Sequence, residues 1–463
     1  MRIASVLERR RSDEGVTLVE VVVAMFIFAL VSTGIIYGLI SVKILTRDSR
    51  ARQVATNLAA GEIDLVRDTS DLFTLLDRDR DVSLNGDTYH LHRATQWVTD
   101  PNQDLSCGAG STTSLRYKRV NVTVTWDGMR QGAQAVRADT LVQPAQKIND
   151  PSKGTIIVSV MGYDGTGRGG VSVSAAPSSP PNGALALAAA PSPTDAQGCS
   201  YILKVMPGNY DVTIGKASYL DPAQSASSTR TVGVSAGQAV AVQFEYDQKA
   251  TFNAQYAANY TPAGSETLRV PDQPTTTFTN TYGTFVSTPS SSALLTRAID
   301  RYPFASGYDV FAGACASSDP VAWPSTTSGG FTWTGERQPA VAAVPGGSVA
   351  TPVNLGIVKL SLGSIGTGRY LKAVSTTPPG GSDDPGCSST TTYTFGAAQL
   401  PSNGNVTIAL PYGSWLLYYG TGSASSGWTT AVATAKMSIP DPTTTLSKVR
   451  SGNVVTFDPR SHS

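Results

Sequence analysis

Between Val21 and Val42 no charged residue occurs, and the run predicts a helix that crosses a membrane. A helix rises about 1.5 Å per residue, so roughly 20 apolar residues cover a hydrocarbon core of about 30 Å. Ordinary secretory signals have a shorter apolar region and then a small-residue exit of the A-x-A kind. No such exit follows here, so the run is expected to be retained as a span. Arg2, Arg9, Arg10 and Arg11 before it are matched by Lys43, Arg47, Arg50 and Arg52 after it, so flanking charge does not orient the span. Past Val42 the apolar positions Ala51, Val54, Ala55, Leu58, Ala59, Ile63 and Val66 recur at spacings of three and four. They stand among Arg50, Arg52, Gln53, Asn57, Glu62 and Arg67, the pattern of an amphipathic rod with these on its polar face. The first proline is Pro101, so nothing forces a kink. Gly34 and Gly38 form a G-x-x-x-G that permits close approach of another helix.

Downstream the period changes to two. Asn85-Gly86-Asp87 signals a turn ahead of a strand over 88–98, and Val120, Val122, Val124 and Trp126 alternate with Asn121, Thr123 and Thr125, as in a half-buried strand. Asp127-Gly128 supplies a turn before a return strand over 133–142. The apolar stripe after Ala51 is expected to bury against the Val and Trp face of this sheet. A second β module follows over 147–247, with a strand over 154–160, a turn at Tyr163-Asp164-Gly165-Thr166-Gly167, and strands over 170–173, 201–205, 207–214 and 240–246. Residues 248–345 are rich in Thr, Ser and Pro and read as a loosely specified β module with a linker, ended by Pro345-Gly346-Gly347. Its expected strands cover 251–256, 275–284 and 307–314. The module over 346–440 echoes the second. Gly366-Thr367-Gly368-Arg369 matches Gly165-Thr166-Gly167-Arg168, and Leu410-Pro411-Tyr412-Gly413-Ser414-Trp415 takes the place of Met206-Pro207-Gly208-Asn209-Tyr210. Residues 441–463 read as a tail with one strand over 453–457.

A chain of 463 residues has room for three or four domains. Lys and Arg number 35 against 34 Asp and Glu, an even balance with no electrostatic footprint for phosphate chains, so no nucleic-acid partner is expected. Cys107, Cys199, Cys315 and Cys387 lie far apart with no C-x-x-C spacing. Outside the membrane they allow up to two disulfides in three connectivities, of which Cys315 with Cys387 is favoured.

Catalytic chemistry needs convergent acids, bases or nucleophiles, and the sequence offers few. His90 and His92 share one face of an expected strand, where a metal pair competes with two solvent-facing side chains and the latter is preferred. Asp77-x-Asp79-x-Asp81 opens like a calcium loop, but Val82 stands where the sharp turn needs Gly and Thr88 where a bidentate Glu belongs, which leaves a solvated turn. Asp383-Asp384-Pro385-Gly386 reads as an exposed acidic turn. G-x-S-x-G, H-E-x-x-H and phosphate-binding glycine loops do not occur. An enzyme is therefore not expected, nor a cofactor or a metal.

The stretch Gly15-Val16-Thr17-Leu18-Val19-Glu20, followed by Val21-Val22-Val23-Ala24, resembles the prepilin cleavage and methylation signature of type IV pilins and type II secretion pseudopilins. The resemblance implies cleavage after Gly15 and N-methylation of Val16, where most members carry Phe. It implies an assembly role for Glu20, whose carboxylate would pair with the Val16 amine of a neighbouring subunit. A membrane half without proline is similar to minor pilins and pseudopilins. The order of strands around Pro207-Gly208-Asn209-Tyr210 is similar to transthyretin-like or collagen-adhesin B-type sandwiches. The expected fold is α+β: a leader over 1–15, a membrane-spanning and assembly helix over 16–68, a pilin-like antiparallel sheet over 69–146, then two or three all-β sandwich modules. The resemblance implies a minor type IV pilin-like structural and adhesive subunit, in or at the tip of a surface filament. Its alternatives are a type II secretion pseudopilin and a membrane-tethered adhesin that never polymerises. Implied partners are a prepilin peptidase/methyltransferase, other pilin subunits, membrane lipid and a surface ligand of the β modules. The implied location is a single pass through a bacterial cytoplasmic membrane before assembly, then the cell surface.

Overall fold

The computed structural model describes residues 17–100, 103–105, 115–130, 132–144, 148, 150–289, 294–422, 424–441 and 445–462. The chain divides near residue 150 into two compact units.

The first unit is built on one helix, α1, Leu18–Arg67. Thr17 caps its start and Asp68 its end. Along its apolar half the large apolar side chains from Leu18 to Leu45 stay exposed, so only lipid or other helices can cover them. In its second half Ala51, Ala55, Ala59, Ile63 and Val66 are buried. Small residues one turn apart let the helix lie close on a sheet. That sheet comprises β1 (Arg78–Leu84), β2 (Asp87–Asp100), β3 (Gln103–Leu105), β4 (Tyr117–Trp126) and β5 (Val136–Val142). Its order is β1-β2-β4-β5, with β3 paired to β2, all antiparallel. Along β4 burial alternates at every residue, and Val120, Val122 and Val124 are fully buried.

Two sequence expectations are corrected here. Asp77, Asp79 and Asp81 do not form a solvated loop, because Asn85 and Gly86 take positive φ (56° and 84°) and fold β1 back on β2, with Leu84 opposite Asp87. Asp79 and Asp81 are thereby strand residues facing His92 and His90. Glu62 leaves the polar face: it is 4% exposed and accepts from Arg93 at 2.8 Å and Arg80 at 3.5 Å.

In the second unit, β6 (Gly154–Met161), β7 (Ser172–Pro177), β8 (Cys199–Val205) and β9 (Gly208–Gly215) open a sandwich. One sheet runs Ser227–Val234, β9, β7, and the other Ala239–Glu245, β6, β8. Ala239–Glu245 pairs parallel to β6. Between the sheets lie Ile156, Val158, Tyr210, Val212 and Phe244. Gly208 has φ 146°, and a Cβ there would overlap the Ala184 backbone, so the turn before β9 requires glycine.

The segment expected to be loosely specified has a defined core. Phe252, Phe278 and Tyr308 are fully buried and meet edge to face, with centroids 5.4–5.6 Å apart. The strand expected over 275–284 is Thr276–Thr279 and then a turn, because the Asn280 side chain accepts from the Tyr282 and Gly283 amides. Ala250–Tyr256 pairs antiparallel with Thr296–Arg301 and parallel with Ser348–Val353, so the sheet extends past the expected boundary at 346. The expected tail is part of the last sandwich: Val454–Phe457 pairs with Gly413–Thr421, and Val455 and Phe457 are fully buried. Val455 and Phe457 share one face of that strand and need a second sheet to cover them.

The echo between modules has a structural basis. Tyr210 Oη donates to the Met206 carbonyl at 3.0 Å, and Trp415 Nε1 donates to the Pro411 carbonyl at 2.9 Å. Each bond spans four residues, and each encloses a positive-φ glycine, Gly208 or Gly413. The strand after each glycine pairs with the strand that follows the Gly-Thr-Gly-Arg segment, β7 in one module and Arg369–Ser375 in the other. The arginines diverge: Arg168 binds Asp247 at 2.8 Å, and Arg369 donates to the Ile365 carbonyl.

Candidate functional site

At the start of α1, Thr17 and Glu20 form a reciprocal capping box. The Glu20 amide donates to Thr17 Oγ1 at 3.3 Å, and Glu20 Oε2 accepts from the Thr17 amide and hydroxyl, each at 3.0 Å. Two of the helix's orphan donors are thus satisfied locally. The carboxylate also sits at the positive end of the helix dipole. Gly15 and Val16 lie outside the described residues. Gly34 and Gly38 have no atom near the position of a Cβ, so that face of the helix is a flat strip.

Residues 10–36 match the family model of the prokaryotic N-terminal methylation motif. The motif runs from the basic leader through Glu20 into the exposed apolar half of α1. No curated protein matches the chain. Solved structures that superpose in part include the TIE protein of Bacillus anthracis, over 75% of this chain and 68% of that one, at 10% identity and a TM-score of 0.20. A streptococcal ancillary pilin aligns over 56% of this chain and 92% of its own, at 10% identity and a TM-score of 0.20. The major pilin subunit of Bacillus cereus aligns over 60% and 92%, again at 10% and 0.20. Superpositions that loose carry no weight for the fold or partners of this chain.

Cys315 and Cys387 are joined by a disulfide across a sequence separation of 72 residues. It ties the segment after Asp309–Ala312 to the loop of the last sandwich. The acidic turn at Asp383-Asp384 is also tied down: Asp383 accepts from Arg460 Nη1 at 3.1 Å, and Asp384 accepts from the Gly386 amide at 2.7 Å. Beside this region are two clefts, of about 520 Å³ and 380 Å³, that share Tyr412, Pro459 and Ser461. Burial pushes the Tyr412 phenol up, with Asp458 adding to the shift, so it stays neutral.

His90 and His92 point outward, each toward carboxylates. His90 Nδ1 lies 2.7 Å from Asp81 and its Nε2 3.3 Å from Asp127, while His92 Nδ1 lies 2.6 Å from Asp79. Among the described residues no cluster of three or more His, Cys, Asp or Glu side chains is placed to hold a metal. The hydrogen bond to Asp81, then that to Asp127, raises the His90 pKa above 6.5. A raised folded-state pKa means the pairing favours the folded sheet fully below about pH 6.5 and loses that contribution as pH rises through the raised value. NMR titration of His90 is expected to show the elevated value and Asp81→Asn to lower it. An unshifted titration in the native chain would contradict the pairing.

Sequence reasoning missed two buried charges in this unit. Glu62 follows Ala59 by three residues and precedes Val66 by four, so the helical period is the signal that marks it for the buried stripe. Lys118 is 2% exposed and its Nζ donates to the Leu72 and Leu75 carbonyls. The period of two places it on the buried side of β4, in register with Val120, Val122 and Val124, but its acceptors belong to an irregular turn that no pattern marks.

Proposed function

We propose that this chain is a minor type IV pilin-like subunit, cleaved after Gly15, methylated on Val16 and built into or onto the tip of a surface filament, where its β modules act in adhesion. The observation that carries this reading is the methylation motif at residues 10–36 leading directly into a helix whose apolar half buries nothing. Such a face is satisfied first by lipid and, after extraction, only by other helices of the same kind. Cleavage leaves an ammonium on Val16. Both bonds from Thr17 use Glu20 Oε2, which leaves Oε1 as acceptor for the Val16 amine of a neighbour. Such a charge-assisted bond in a low-dielectric bundle would set the stagger between subunits. The β-sandwiches after residue 150 exceed what subunit packing requires, which favours sparse or terminal placement. The reading is structural and adhesive, not catalytic, with a prepilin peptidase/methyltransferase and other pilins as partners.

A pseudopilin of type II secretion shares the motif and the helix. Immunogold labelling of sheared pili separates the two, since only the filament reading places the chain on surface fibres. Mass spectrometry of the mature protein is expected to find methylated Val16 at the N terminus. Glu20→Ala is expected to leave cleavage intact and reduce incorporation into filaments at least tenfold. An uncleaved functional chain would support a tethered adhesin instead, and wild-type incorporation of the Ala variant would remove the pairing of subunits through Glu20.

A further inference from the structure

Immediately past the apolar run, α1, the β1–β2 turn and the start of β2 form a cleft of about 580 Å³. Lys43, Arg47 and Arg50 line it from the helix, Asp87 from the β1–β2 turn, and the buried Tyr89 from β2. The three cations fall at i, i+4 and i+7 and so share one helix face. Arg47 pairs with Asp87 through its guanidinium, with its side chain otherwise 66% exposed. Asp87 is thereby engaged, and Lys43 and Arg50 are exposed.

The level of this cleft is set by the helix. The uncharged run ends at Val42, and Arg47 and Arg50 stand only about 6 Å and 10 Å of axial rise beyond Lys43. A bilayer's polar layer is roughly 5–8 Å deep on each side. Lys43 and Arg47 root within that layer and Arg50 just past it, and helix side chains lean toward the N terminus, so all three can reach phosphates while their stems cover apolar surface. A cleft with three cations and one carboxylate at headgroup depth has the charge of a phosphodiester receptor.

We propose that this cleft holds the phosphate of an anionic phospholipid headgroup, gripped by Lys43 and Arg50 with Arg47 held ready by Asp87. Filling it would fix the rotation of α1 about its axis relative to the bilayer, because only one helix face carries the cleft. The proposal rests on the membrane-anchor reading of α1, and the experiment separates the two.

Full-length chain in detergent is exposed to short-chain phosphatidylglycerol or short-chain phosphatidylcholine, and native mass spectrometry counts bound lipid. Phosphatidylglycerol is expected to be retained in preference to phosphatidylcholine. Each of Lys43→Gln and Arg50→Gln is expected to weaken it about fivefold. Both substitutions are at exposed positions, and unchanged thermal unfolding of each single variant confirms that the fold is intact. Equal retention of the two lipids, or undiminished phosphatidylglycerol binding in both variants, would overturn the proposal. Displacement of the lipid by excess inorganic phosphate would also overturn it, by making the cleft a free-anion site. Release of the wild-type chain from membranes by carbonate would instead remove the anchor itself, and the lipid site with it.

Discussion

Glu62→Gln is expected to destabilise the first unit by about 3 kcal/mol, the lower end of what breaking a buried ion pair costs. The loss comes from what remains behind. Arg93 has a side chain only 13% exposed, and without the Glu62 carboxylate its charge keeps only neutral acceptors, the Leu76 carbonyl at 2.9 Å and 3.1 Å and the amide oxygen left at position 62. Arg80 is 39% exposed, so water replaces its partner at little cost. Hydrogen exchange at the β4 amides of the full chain reads the effect locally, and 3 kcal/mol corresponds to more than a hundredfold faster exchange through global opening of the unit. Exchange accelerated less than tenfold would mean that neutral acceptors suffice for Arg93. Glu62 holds the second half of α1 on its sheet, between Ala59 and Val66.

Trp415→Ala is expected to cost about 4 kcal/mol in the last sandwich. The indole is 1% exposed at the centre of that core, and large aromatic truncations leave cavities worth 3–5 kcal/mol, by the usual range of about that size. Trp415→Phe keeps most of the packing but leaves the Pro411 carbonyl unpaired, a loss of about 1–2 kcal/mol. Tyr210→Phe makes the same deletion in the second module at the Met206 carbonyl and also removes the acceptor of the Leu185 amide, which donates to Tyr210 Oη at 3.2 Å. Chemical denaturation of the chain should therefore show losses at both corners, with that of Tyr210→Phe at least as large. A neutral Tyr210→Phe beside a costly Trp415→Phe would show that the two corners do not share one role.

Much of the first unit was legible because its signals are local. A run without charge, a change to helical spacing after Val42 and an Asn-Gly turn each act within a few residues. The β4 alternation read correctly for the same reason, since one buried face imposes one pattern. Where the reading failed, the deciding contact came from far along the chain. The aromatic centre of Phe252, Phe278 and Tyr308 joins residues 26 to 56 positions apart, and Thr- and Ser-rich strands around it give no periodic sign. The 346 boundary failed because Pro345-Gly346-Gly347 is a turn within a sheet whose partner strands lie on both sides of it.

By itself the sequence determined the prepilin-type N terminus, the long helix, the β-rich remainder and the paired Pro-Gly and Pro-Tyr-Gly corners, since each depends on neighbouring residues and a backbone geometry that few residue types allow. Tertiary structure alone decided which partners meet Glu62 and Lys118 in the interior, that residues 454–457 complete a core and that three helix cations face one cleft. Those outcomes depend on which distant surface meets each side chain, and a charge is stable in an interior only when folding delivers its partner.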